Sequence, residues 1–444
     1  MSTKFPKITE QGLADLRKRI GVKVENTIEP WNYEATRDAI RHYAHGIGDD
    51  NPLWCDPEYA KTTKYGDVVA LPSFLFTTSR LISGYCGGLS GVHAMWAGAD
   101  WTWHKPVMRN DTIRTEAYLK DLVEHQTKFA GRSFQQIYHV DFYNQNNELV
   151  CEADSWVFRT DRDIAREEGT KYTEARSRGV EQLSDEDLAE WGKLYANEEI
   201  RGPNPRYWED VNVGDELPRM MKGPMTVTGF ICYAQGWGGL YIRANKLAWK
   251  MQQAHPGLGI KNRFNVPDCP ERVHWDEEFA LEVGAPGAYD YGPERNSWLT
   301  HHITNWIGDD GFLHKSKCQI RRHNPEGDMV FITGKVVRKV TRPTHIKDHK
   351  VAASPDNPEY IVESSKTGAR AFTAIASAKI TSSIRSAPSK SKTEAQFTRT
   401  RQSGRRMARR ISGSLRMWAC RIGRARLAGL PGLRSARCAR GRCS

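Results

Sequence analysis

Acid is almost missing from the end of this chain. Residues 381–444 hold one carboxylate, Glu394, against 17 Lys and Arg, a net +16, while the preceding 380 residues net −4. The overall +12 therefore belongs to the tail, and the body offers no charge argument for nucleic acid. No run of about 18 apolar residues occurs, so no membrane-spanning helix is expected. The opening "MSTKFPKITEQGLADLRKRI" has no apolar stretch of the kind that directs secretion, which suggests a cytoplasmic protein. Cysteines at 55, 86, 151, 232, 269 and 318 form no CxxC pair and no dense framework, so reduced, mostly buried thiols are expected.

The tail, "RTRQSGRRMARRISGSLRMWACRIGRARLAGLPGLRSARCARGRCS", admits three readings. It is a basic arm for an acidic surface, a self-repelling disordered segment, or the read-through of a GC-rich gene in a shifted frame. Its Arg, Ala, Gly, Leu and Ser content favours the last. All three place residues 386–444 outside the fold.

What the rest of the chain does have is a repeat. Residues 19–52 echo 211–239: a short strand and turn lead to a helix that starts after a threonine and ends in Tyr-Ala and glycine, in "TRDAIRHYAHG" and "TVTGFICYAQG". The threonines suit helix N-caps, whose side-chain oxygens satisfy orphan N–H groups. "PLWCDPEYAKTTKYGDVVALP" is then echoed by "CPERVHWDEEFALEVGAPGAYDYG". Setting Trp54 on His274 aligns Asp56 with Asp276, Tyr59 with Phe279 and Ala60 with Ala280. Each passage precedes a helix that opens with proline, "LPSFLFTTSRLIS" and "GPERNSWLTHHITNWIG". In the second, Trp298, Leu299, Ile303 and Trp306 fall at helical spacing, and Gly308 is a natural stop. Alternating runs such as "QIYHVDFYNQ" and "VFITGKVVRKV" predict antiparallel strands, with "NQNNE" as a hairpin turn. Residues 161–204 are charged and patternless and read as a linker with some helix.

These residues resemble the MaoC-like acyl thioester dehydratases, the (R)-specific enoyl-CoA hydratases of the hot-dog fold, over roughly residues 10–380. The resemblance implies an α+β chain: two hot-dog domains (10–160 and 205–382), each an antiparallel sheet wrapped on a central helix, forming a pseudo-dimer, plus the disordered basic tail. The family motif is Asp-x-Asn-Pro-[Ile/Leu]-His-x-Asp, with a helix-opening glycine about 18 residues after the histidine. The first copy keeps Asp49, Asn51, Pro52 and Leu53 but has Trp54 for the histidine, and it lacks the glycine. It reads as a degenerate copy that keeps the scaffold. The second has His274, Asp276 and Gly292 at +18, but Cys269 stands where the aspartate belongs.

The implied roles follow. His274 and an acid, assigned to Asp268 one residue upstream, hold and activate the water that adds to a 2-enoyl-CoA or leaves a (3R)-hydroxyacyl-CoA. The bland alternative for Asp268 is a turn residue between Pro267 and Pro270. The Gly292 N–H polarises the thioester carbonyl, with the helix dipole behind it. Asp276 suits a helix cap. Arg321 and Arg322 are candidates for the CoA phosphates, or simple strand-surface charges. The resemblance implies an acyl-CoA substrate, no cofactor, no nucleic-acid or membrane partner, and a homo-oligomer, most simply a dimer. His301 and His302 face different ways on a helix, and no Cys or carboxylate in the sequence completes a metal set with His274. Tryptophans 54, 96, 101, 103, 298 and 306 are core by default, and some are candidates to line an acyl pocket. A thioesterase on the same fold and a non-catalytic acyl-binding subunit are the competing readings.

Overall fold

The computed structural model describes residues 6–25, 28–127, 131–161, 182–207 and 209–340, and the backbone of six short strands up to residue 385. The basic tail lies outside the described residues.

The two echoing stretches each carry a helix capped by threonine. Helix α1 (Arg37–Gly46) is capped by Thr36, whose side chain accepts from the Ala39 N–H. Helix α2 (Asp185–Ala196) closes the interhalf segment, with a capping box between Ser184 and Asp187. Helix α3 (Val227–Trp237), the counterpart of α1, is capped by Thr226 in the same way. Helix α4 (Gly292–Ile307) is the long central helix of the second half and is buried over nearly its whole length. It ends at Gly308, which takes a positive φ.

Strands β1 (His93–Trp103), β2 (Arg114–Thr127), β3 (Gly131–Tyr143) and β4 (Leu149–Thr160) follow the first half's short helices. The β3–β4 turn is the Asn144–Glu148 stretch, where Asn144 Oδ1 accepts from the Asn146 and Glu148 N–H groups. In the second half come β5 (Met220–Lys222), the small hairpin β6 (Ile260–Lys261) and β7 (Pro267–Asp268), and then β8 (Lys315–Gln319), β9 (Met329–Ile332) and β10 (Lys335–Val340). Backbone strands β11 (Thr344–Ile346), β12 (His349–Val351), β13 (Glu359–Glu363), β14 (Arg370–Ala374), β15 (Ser377–Lys379) and β16 (Ser383–Arg385) complete the order.

The halves share one sheet. Its nine strands run β10-β13-β14-β15-β8-β1-β4-β3-β2, and the seam is the antiparallel β1–β8 pair, with Ala99 opposite Cys318 and Trp101 opposite Ser316. Residues 1–389 accordingly form a single compact unit rather than two separable bodies. On the helical side, α1 crosses α3 where both carry glycine. A Cβ on Gly236 would come 2.6 Å from the His42 carbonyl oxygen, and one on Gly46 3.2 Å from that of Cys232. Larger residues would push the helices apart.

Two local expectations need correction. The proline-started helix of the first half is only a six-residue 3-10 segment, Pro72–Thr77. Its side chains Phe74, Leu75 and Phe76 are buried, so packing rather than helical propensity sets its geometry. The six described cysteines are free thiols, but Cys232 is exposed while Cys151 and Cys318 are buried.

Candidate active site

A cavity of about 650 Å³ is lined by residues of both halves. Met95, Trp96, Trp156 and Phe158 come from β1 and β4, and Trp237, Leu240 and Tyr241 from α3 and the chain after it. His274, Tyr291 and Gly292 line it too. The corresponding space around Trp54 is about 60 Å³, and Trp54 itself is buried. The indole occupies what the histidine side leaves open.

His274 ends a 3-10 helix, Pro270–His274, which Pro270 starts. Its Nδ1 is 2.7 Å from the Tyr289 carbonyl oxygen. A carbonyl only accepts, so Nδ1 carries the proton and Nε2 is left as an acceptor. The ring stacks on Tyr291 at 3.7 Å and meets Tyr289 edge-on at 4.7 Å. Burial, with a smaller push from Arg295, holds the imidazole pKa down at about 3. The ring is therefore a neutral base over the ordinary pH range.

Gly292 opens α4, beside the same cavity. No hydrogen-bond partner for its N–H occurs among the described residues. Trp96 of the first half lies directly against its Cα: an added Cβ would sit 2.6 Å from the indole Cε3. That indole is held by hydrogen bonds to the Ile82 carbonyl (3.0 Å) and Ser155 Oγ (2.9 Å). Behind the helix start, buried Asp290 pairs with Arg295 at 2.7 Å and accepts from Asn324 Nδ2 at 2.8 Å. Arg295 also donates to the Arg322 carbonyl, which ties α4 to the chain after β8.

The sequence-predicted residues are only partly brought together. His274 and Gly292 line one cavity, and Arg321 and Arg322 line it too, both exposed. Asp268 does not. It lies in β7, and its carboxylate accepts from its neighbour's N–H on Cys269 (2.7 Å) and from Asn262 Nδ2 (3.2 Å), with Arg272 at 3.6 Å. Two prolines and the β6–β7 hairpin turn it outward, 40% exposed. Asp276 caps the next helix through the Phe279 N–H at 3.0 Å.

Sequence reasoning passed over Glu271. It is 6% exposed, lines the cavity and accepts from the Tyr241 N–H. Its Oε2 is buried with no hydrogen-bond partner among the described residues. Burial pushes its pKa up to about 7. The available signal was spacing: three residues before His274, it shares a face with it in any helical turn.

His302 is packed, as expected, and so is His301, which sits in a charged cluster. Two carboxylates do approach it, Asp49 at 3.3 Å and Glu198 at 3.2 Å, and Lys222 Nζ sits 3.1 Å from its Nδ1. All four side chains are largely buried, and the ammonium supplies the cationic charge in the cluster. Asp49, the motif acid of the first half, thus serves the seam between the halves. Elsewhere, His139, Asp141 and Glu152 bring ligating atoms within 4.8 Å of one another, but His139 already bonds Asp154 (2.8 Å) and Asp141 (3.1 Å).

Comparison with known proteins bears on the fold and the family. A family model described as "FAS1-like, dehydratase domain region" matches residues 20–153, the half that lacks the histidine. A second, the TUDOR domain of hypervirulence-associated proteins, matches residues 324–373, which here supply strands of the shared sheets. A UPF0336 protein of Saccharopolyspora erythraea is 30% identical over 128 residues, 28% of this chain and 79% of that protein. One from Parafrankia sp. is 30% identical over 128 residues and is covered to 80%. Among solved structures, a MaoC-like dehydratase aligns over 83% of this chain and 97% of its own with a TM-score of 0.53 and 18% identity, a likeness of fold. The chain belongs to the UPF0336 family, and its fold is that of the MaoC-like dehydratases. No helix among the described residues is long and apolar enough to cross a membrane.

Proposed function

We propose that the protein is a hydro-lyase that adds water reversibly across the double bond of a 2-enoyl-CoA, or removes it from a (3R)-3-hydroxyacyl-CoA, at one site per chain. The observation that carries this reading is the pairing of an acceptor imidazole with a helix start on one cavity. His274 Nε2 takes a proton from water as the oxygen adds to Cβ. The Gly292 N–H, at the positive end of α4, stabilises the enolate-like oxygen of the thioester. Each proton transfer of this kind is worth roughly 10²–10⁴-fold. Arg321 and Arg322 at the cavity wall would meet the CoA phosphates, since guanidinium groups match phosphate geometry.

Residues 10–160 and 205–382 are read as two hot-dog units of a pseudo-dimer, a reading supported by the β1–β8 seam and the α1–α3 crossing. The first unit gives up catalysis and provides aromatic wall. The size and aromatic lining of the cavity favour long, branched or ring-bearing acyl groups over crotonyl.

The test is a hydratase screen over enoyl-CoAs of graded size, following ultraviolet loss of the conjugated thioester, with a thiol assay for free CoA. Turnover that rises with acyl size and disappears in His274→Ala is expected. Release of free CoA instead would indicate thioester hydrolysis. An unaffected His274→Ala would make the site a binding module.

A further inference from the structure

The Asp-His pairing of the family is broken here, because Cys269 occupies the acid position and Asp268 points into the β6–β7 hairpin. Yet a hydration needs two proton positions, one taking from water and one giving to Cα. We infer that Glu271 is the missing catalytic acid, the group that exchanges a proton with the substrate Cα opposite His274. The inference rests on the hydratase reading of this same site.

Three observations carry it. Glu271 and His274 are three residues apart in a 3-10 helix of three residues per turn, so both side chains leave one face and line one cavity. The Tyr241 N–H fixes one carboxyl oxygen, which orients the group. The other oxygen is buried with no partner among the described residues. A buried carboxyl oxygen left so is costly unless it holds a proton or meets a ligand. No comparable demand exists at Asp268, whose oxygens are already occupied. The two environments also push apart the affinities of the pair, keeping the imidazole unprotonated and the carboxyl protonated into the neutral range.

The step balances. In hydration, His274 Nε2 takes a proton from water and the oxygen bonds to Cβ. The π electrons move to Cα and the thioester oxygen, and the Glu271 carboxyl gives its proton to Cα. The resulting imidazolium and carboxylate are reset when the proton passes from His274 to Glu271, directly or through a water. Dehydration runs the same steps backward.

The experiment compares Glu271→Gln and Asp268→Asn in the full chain, with thermal melts to verify folding. Glu271→Gln is expected to lower kcat roughly 100-fold or more with KM changed only a few-fold, and to remove the alkaline limb of the kcat/KM profile. Asp268→Asn should stay within about threefold of wild type. Retained kcat in Glu271→Gln, or loss confined to Asp268→Asn, would overturn the inference while leaving the hydratase reading intact. An infrared measurement decides Glu271 independently of turnover. The protonated carboxyl band that Glu271→Gln removes should shift when decanoyl-CoA binds, and a band indifferent to the ligand sinks the proposal even if no enoyl-CoA is hydrated.

Discussion

Trp96 of the first half lies on the Cα of Gly292, the first residue of the second half's central helix. The indole is fixed by two hydrogen bonds, so it cannot swing away cheaply. The repeat thus acts across its own seam: one copy shapes the helix start that the other uses.

Gly292→Ala tests that contact. A methyl 2.6 Å from the indole must displace the ring or the helix start. Overpacking of this kind costs about 1–3 kcal/mol. A lowered melting temperature and loss of most hydratase turnover are expected, and Trp96→Ala in the same chain should recover part of the stability. Equal turnover in Gly292→Ala would remove the glycine from the reaction.

Replacing Trp54 by histidine should not create a second site. The space there is about 60 Å³, no glycine opens the short 3-10 helix beyond it, and Asp49 is committed to His301. In a His274→Ala background, Trp54→His is expected to show no turnover and to lose about 3 kcal/mol in urea unfolding, on the scale of large-to-small core changes.

The pH dependence of stability carries two opposed signs. His274 has its pKa lowered from 6.5 to about 3, so the unfolded chain binds more protons between those values. Its contribution is full above 6.5 and is lost as pH falls towards 3. Glu271 is raised from 4.5 to about 7, so the unfolded chain binds fewer protons in that interval, and stability falls as pH rises through it. Glu271→Gln should therefore gain stability over wild type at pH 8 more than at pH 5, measured by denaturant titration. An equal change at both pH values would place the Glu271 carboxyl in a solvated setting.

The buried cluster at the seam should respond asymmetrically. Lys222→Met leaves Asp49 and Glu198 without their cation, and breaking a buried charge cluster typically costs about 3–5 kcal/mol. Adding Asp49→Asn and Glu198→Gln should restore much of the loss. If Lys222→Met alone is neutral, the cluster holds no net charge worth compensating.

Much of the fold was legible because it is written twice in local chemistry. Thr36 and Thr226 as caps, the Asn144–Glu148 hairpin, the buried face of Trp298, Leu299, Ile303 and Trp306, and the cap at Asp276 all rest on neighbours within a few residues. Such signals survive in a single sequence. His274 and Gly292 were found by fixed spacing along one short stretch of chain.

What could not be read needed contacts across long sequence separations. The hairpin formed by β6 and β7 turns Asp268 away, and the short helix Pro270–His274 puts Glu271 and His274 on one cavity instead. Neither is encoded by residue type at the position. The walls of the cavity come from β1 and β4, more than a hundred residues before the histidine, and Asp49 finds His301 only when α4 packs at the seam. The sequence by itself therefore determined the repeated motifs, their caps and the spacing that singles out His274 and Gly292. The tertiary structure decided which carboxylate shares a cavity with His274, because burial and unpartnered acceptor atoms are set by packing across long sequence separations.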